Sequence, residues 1–165
     1  MKIKSLVALF ISAIVLTSCG SDEPSGNSIQ VNGQSFKVIS ASLLGVSISG
    51  DGHAAISLTS VTSSASTNTI TLDFDYSPNS PVSGTYSFPV TSGNRYLDEF
   101  LTNYTKTVIS GTGTTINSTT LDFGHITVQD NGGDNYTVTM DLTMVDGTVI
   151  KGKYRGEFVV MFNNS

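Results

Sequence analysis

Apolar and polar side chains alternate with period two over three stretches of this 165-residue chain, and each stretch predicts a strand with one buried face. Ile70, Leu72, Phe74 and Tyr76 alternate with Thr71, Asp73 and Asp75. Tyr136, Val138, Met140, Leu142 and Met144 alternate with Thr137, Thr139, Asp141 and Thr143. Ile150, Gly152, Tyr154, Gly156, Phe158, Val160 and Phe162 alternate with Lys151, Lys153, Arg155 and Glu157. Val159 and Met161 make both faces apolar at that end, so it is expected to be covered on both sides or to close against another strand. The predicted core is Ile70, Leu72, Phe74, Tyr136, Val138, Met140, Leu142, Tyr154 and Phe158. Tyr96 to Tyr104 departs from the pattern: Leu97, Leu101 and Tyr104 have helical spacing, which allows a helical turn or two.

Turn-forming clusters separate the stretches: Ser49-Gly50-Asp51-Gly52, Ser77-Pro78-Asn79-Ser80-Pro81, Thr91-Ser92-Gly93-Asn94, Ser110-Gly111-Thr112-Gly113, Asp130-Asn131-Gly132-Gly133 and Asp146-Gly147. Short strands between such turns, with no helix long enough to cross between parallel strands, predict one all-β domain. Its architecture is a single antiparallel β-sandwich or a lipocalin-like barrel. The face pattern also fixes the last hairpin. A two-residue turn at Asp146-Gly147 pairs residues whose numbers sum to 293, which sets Lys151, Lys153 and Arg155 opposite the apolar face. A three-residue loop Val145-Asp146-Gly147, with Gly147 left-handed, makes the sum 292 and matches apolar to apolar. Leu142 then faces Ile150, Val138 faces Tyr154, and Asp141 faces Lys151.

The N-terminus has a different pattern. Lys2 and Lys4 precede an eleven-residue apolar run, Leu6 to Leu16. That is the length of a signal-peptide apolar region and too short to cross a hydrocarbon core of roughly 30 Å. Small residues Thr17 and Ser18 follow, then Cys19, the sole cysteine. Leu16-Thr17-Ser18-Cys19 resembles the lipobox of a bacterial lipoprotein precursor. The resemblance implies that residues 1–18 are removed as a signal peptide and that Cys19 carries lipid; the alternative is an ordinary secretory signal beside a free or buried thiol. Residues 19–28 are polar and rich in turn formers, as in a flexible tether, and residues 29–165 form the all-β domain. Asp22-Glu23 resembles the acidic export signal of surface lipoproteins in Bacteroidota. Gly20 stands where an inner-membrane retention signal would have Asp.

Two further segments carry a family resemblance. Ser83-Gly84-Thr85-Tyr86-Ser87-Phe88 resembles a Gly-Thr-Tyr strand, and Asp146 to Phe158 resembles a terminal strand with alternating Gly and aromatic residues. Their order after a lipobox is similar to that of small Bacteroidota lipoproteins of unknown function with all-β domains. The resemblance implies an outer-membrane, lipid-anchored protein on the periplasmic or surface-facing side, and brings no catalytic residues with it. Glycines among aromatics also have a physical reading: they leave room for rings or let a strand bend.

Loss of Lys2 and Lys4 from eight basic residues leaves six against thirteen acidic ones, a mature formal charge of −7. Such a chain is a poor match for a phosphate backbone, so nucleic acid is not an expected partner. Candidate chemistry is sparse. His53 lies opposite Ala54, Ile56 and Leu58 and reads as an exposed strand residue. His125, with Asp122 three residues upstream, lacks the spacing of a zinc signature. Asp73 and Asp75 share a strand face, as a carboxylate pair for glycoside hydrolysis or calcium would, and as residues on any solvated sheet do. Asp130-Asn131-Gly132-Gly133-Asp134 is a calcium candidate by composition and a hairpin turn by order. Lys151, Lys153 and Arg155 form a basic stripe read as structural. No serine sits in Gly-x-Ser-x-Gly.

The expectation is a non-catalytic accessory or binding module without cofactor or metal, taking a glycan or a small apolar ligand. Absence of Trp, with most Tyr and Phe on apolar faces, weighs against a glycan platform. The alternatives are a lipocalin-like carrier, an envelope hydrolase using Asp73 and Asp75 or His125, and a structural subunit joined through its C-terminal strand.

Overall fold

The computed structural model describes residues 26–48, 51–77 and 80–164. The leader, Cys19 and the first part of the tether lie outside the described residues, as do parts of the first two turn clusters. Twelve strands follow: β1 (Gln30–Val31), β2 (Gln34–Ser35), β3 (Ser40–Ile48), β4 (Asp51–Ser63), β5 (Ser66–Asp75), β6 (Gly84–Phe88), β7 (Arg95–Tyr96), β8 (Asn103–Ser110), β9 (Gly113–Asp130), β10 (Asn135–Met144), β11 (Val149–Glu157) and β12 (Val159–Asn164). They make one sheet in the order β12-β3-β4-β5-β8-β9-β10-β11-β1-β2, with β6 joined to β9 and to β7.

β9 explains how one sheet encloses a core. Its first part pairs with β8, from Ser110↔Gly113 to Asn103↔Thr120. Its second part pairs with β10 and β6. One strand therefore belongs to both halves, and their apolar faces meet. Leu43, Ile56 and Leu72 from one half join Val138, Leu142 and Ile150 from the other in a common core. The rings of Phe74 and Tyr86 touch across the halves at 4.3 Å between centroids. β12 and β2 do not pair with each other, so the sheet is not closed into a barrel.

Most pairings are antiparallel, as expected. β12 runs parallel to β3, from Val159↔Ser42 to Asn164↔Ser47, and β6 runs parallel to β7. The chain reaches β12 without a helix because it changes halves at Phe158, between β11 and β12. Phe158 is buried there, edge-on to Tyr136 and Tyr154 at 5.4 and 5.6 Å. The unbroken alternation from Ile150 to Phe162 is thus two strands in two halves. Of the two expectations for its end, closure against another strand is the one observed; Val159 and Met161 stay exposed.

Eight of the nine predicted core side chains are buried, and Tyr154 is half-buried against that core. The last hairpin takes the 292 register, with Leu142↔Ile150, Val138↔Tyr154 and Asp141↔Lys151. Gly147 is left-handed at φ 84° in the three-residue loop. Lys151 Nζ lies 3.2 Å from an oxygen of Asp141, with both side chains about half exposed. Such a pair is worth roughly 0.2–1 kcal/mol, so the apolar face does more than the charges to hold the register. The glycines of β11 have separate reasons. At Gly156 a Cβ would lie 2.8 Å from Cζ of Tyr154, so this glycine gives room to a ring of its own strand. Gly152 gives room to the backbone of Ser28 and Ile29.

Candidate functional site

The face reading fails at Asp73, and the failure locates the site. In the β4–β5 pair, Ala55 opposes Asp73 and His53 opposes Asp75. Ala54, Ile56 and Leu58 fill the core, which leaves His53 on the outer face with Asp73 and Asp75. Asp73 was expected to face water there, yet it is 8% exposed. The cover is the segment between β7 and β8. β5 keeps β8 as a neighbour only as far as Thr71↔Asn103, and beyond that point its edge is free for another segment.

Residues 97–102 occupy that edge. Leu97 bridges Phe74, and the Asp98 N–H donates to the carbonyl of Asp73 at 2.8 Å. The Thr102 hydroxyl accepts from the Asp73 N–H at 3.0 Å and donates to the Asp73 carbonyl at 3.2 Å. The segment makes one helical turn, in which the Thr102 N–H donates to the Asp98 carbonyl at 3.0 Å. Asp98 caps it, its Oδ1 accepting the N–H groups of Phe100 and Leu101 at 2.8 Å each. The turn includes Leu101 but not Leu97, which is buried in the bridge to Phe74 while Leu101 stays exposed, so their helical spacing marks no common face.

Across the strands, Nδ1 of His53 lies 2.7 Å from Oδ1 of Asp73, a diagonal contact over one residue pair. His53, Asp73 and Asp98 each offer a ligand atom, and these atoms all lie within 4.8 Å of one another. Burial pushes the Asp73 carboxyl up from its ordinary value, and the hydrogen bond with His53 opposes that push only in part. The same hydrogen bond raises His53, with the charges of Asp73, Asp98 and Asp75 adding to it against desolvation.

A raised His53 favours folding fully below its unfolded value of 6.5, and that stability is lost as pH rises through the higher folded value. Asp73, raised as well, acts with the same sign but in the acid range above 3.8. The wild-type urea midpoint is therefore expected to fall between pH 6 and pH 8, and His53→Gln to flatten that decline. Equal slopes in the two proteins would contradict the pairing.

His53 opens onto a surface cleft of about 450 Å³ lined with Gly52, Asp75, Tyr76, Ser77, Ser80 and Arg95. Arg95 serves as its wall. The guanidinium donates to the carbonyls of Pro81 and Ser83 and lies 4.5 Å over the Tyr86 ring. Tyr76 stacks on Phe162 on the other side. Among the described residues, His53 has no hydrogen bond other than that to Asp73, so the pair has a base and its orienting acid but no hydroxyl in line as a nucleophile.

The other sequence candidates stay apart. Asp75 is exposed while Asp73 is buried, which divides the proposed carboxylate pair between two environments. His125 is exposed on β9 opposite Asp141 and Ser87, and Asp122 is exposed as well. Asp130-Asn131-Gly132-Gly133-Asp134 forms the β9–β10 turn, with Oδ1 of Asp130 accepting the Gly132 N–H at 2.7 Å and Asp134 left-handed at φ 59°. Lys153 and Arg155 oppose Thr139 and Thr137. Asp98 was missed by the sequence reading; the signal available was its residue type, since Asp is a capping residue and stands just after Leu97 within the stretch of helical spacing. Compared with protein-family models, curated protein sequences and solved structures, the chain matches none.

Proposed function

We propose that this chain is a lipid-anchored lipoprotein of the outer envelope whose β domain is a non-catalytic accessory or binding module. Cys19 carries the reading: it is the sole cysteine and follows an apolar run and two small residues. The domain supports it from the other side. Ile29 is buried, and the Ser28 N–H bonds to the Lys153 carbonyl at 2.8 Å, so the chain is tied to β11 within ten residues of Cys19. The residues between them reach at most roughly 3.5 Å each, enough to hold the domain close above headgroups. The Gly-Thr-Tyr strand and the Gly/aromatic strand add the resemblance to small all-β lipoproteins of Bacteroidota, and Asp22-Glu23 favours the cell surface over the periplasmic side.

The interior is filled with side chains, among them Phe74, Tyr86, Met140, Leu142 and Met144, all fully or almost fully buried. That favours capture on the surface over carriage inside. A cleft of about 470 Å³ offers the half-buried Val38 and Tyr154 beside Lys37, Arg155 and Glu157, with the buried Ile29 and Phe36 also in its lining, a mixture suited to a small apolar ligand or a glycan. Blocking the lipoprotein signal peptidase with globomycin tests the anchor. The expected result is a precursor that keeps its leader, and Cys19→Ala is expected to accumulate the same form. Normal maturation of Cys19→Ala would contradict the proposal.

A further inference from the structure

We propose that His53, Asp73 and Asp98 form a binding site for a first-row divalent cation, with zinc the best-matched ion. The inference goes beyond the lipoprotein reading and does not depend on it. The three side chains come from β4, from β5 and from the turn before β8, segments that meet only through the fold. In a tetrahedral zinc site with bonds of about 2.0–2.2 Å, ligand atoms stand about 3.3 Å apart. Here His53 Nδ1 and Asp73 Oδ1 are 2.7 Å apart, and one ligand atom from each of the three side chains lies within 4.8 Å of the other two.

Asp73 supplies a second line of argument. Its carboxylate is buried on what the sheet pattern makes an outer face, which is costly for a charge without compensation. Its one side-chain partner among the described residues is the half-exposed His53 imidazole, and its side chain keeps only 12% exposure, through which the carboxylate can reach a ligand. Its backbone N–H and carbonyl are both held by the neighbouring segment, through Asp98 and Thr102. A cation replacing the shared proton between Nδ1 and Oδ1 would compensate the carboxylate fully.

Asp98 is prepared in the same way. Its Oδ1 is held by the Phe100 and Leu101 N–H groups, an outer shell that orients the carboxylate and leaves Oδ2 without a partner among the described residues. One imidazole nitrogen with two carboxylates suits zinc; calcium takes six to eight oxygens and rarely nitrogen. Three protein ligands leave the fourth position for water or a ligand group, and of the three His53 also lines the cleft at Tyr76 and Ser77.

Zinc chloride titrated calorimetrically into the full chain, purified metal-free in detergent micelles, tests this. The expected result is one zinc per chain, with binding that releases protons and weakens from pH 7.5 to pH 5.5. His53→Gln and Asp98→Asn are each expected to weaken it at least about tenfold; Asp122→Asn and Cys19→Ser are expected to leave it unchanged. Asp98→Asn keeps an oxygen to cap the turn, so it decides the matter if His53→Gln does not fold. Absence of binding, an affinity unmoved by Asp98→Asn, or loss of binding in Cys19→Ser would overturn the proposal.

Discussion

Replacing Phe74 with alanine is expected to lower the unfolding free energy by about 3–5 kcal/mol. Phe74 is fully buried where the two halves of the sheet meet. Its ring touches Tyr86 at 4.3 Å, and Tyr86 has little freedom to move into the space left. The Tyr86 hydroxyl donates to the Val82 carbonyl at 2.6 Å, and Arg95 covers its other face. A core that cannot collapse keeps the cavity, which puts the cost at the upper end of aromatic truncations. Urea unfolding of the wild-type and variant chains measures it. A loss below about 1 kcal/mol would mean that the two halves do not share a core at this point.

Gly152→Ala is expected to cost about 2–4 kcal/mol through backbone strain and overpacking together. Gly152 sits at φ 130°, where an L side chain is strained. An added Cβ would press on the Ser28 carbonyl oxygen and stand 2.8 Å from Cα of Ile29. That backbone cannot yield cheaply. Ser28 is bonded to Lys153, Gln30 pairs with Lys151, Val31 pairs with Ile150, and Ile29 is buried. Relief would come by lifting β1 from β11, which exposes Ile29 and Phe36 and removes hydrogen-exchange protection at Ser28. Gly111→Ala is the control, because its Cβ would meet nothing within 4 Å and its φ lies outside the strained range. Equal midpoints for Gly152→Ala and Gly111→Ala would contradict the docking of β1.

The sequence made the local faces legible because a strand repeats every two residues and one face must leave water. The same arithmetic distinguished the 292 register of the last hairpin from 293. What it could not show is cover arriving from elsewhere. Asp73 alternates as a wet residue should, and is buried by residues 97–102, whose approach depends on β8 leaving β5 after Thr71. The alternation through Phe158 likewise carries no mark of the point where the chain changes halves. Apolar residues on both faces at Val159 and Met161 were the trace of that change, legible as a new strand environment but not as a parallel pairing with β3. Closure was equally hidden, since it depends on whether the sheet's outer strands pair, and β2 and β12 share no local pattern. Of the candidate site, His53 and Asp73 were visible as residues and Asp98 was not; their convergence is a property of three segments at once.

The lipid anchor at Cys19 is the claim on which the proposed function rests, and the intact mass of the protein extracted from membranes tests it most directly. The expected mass is that of a chain beginning at Cys19 with acyl chains attached, three if the resemblance to bacterial lipoproteins holds, since several chains anchor a protein stably where one does not. A mass corresponding to an unmodified chain, whether starting at Met1 or at any residue other than Cys19, would contradict it.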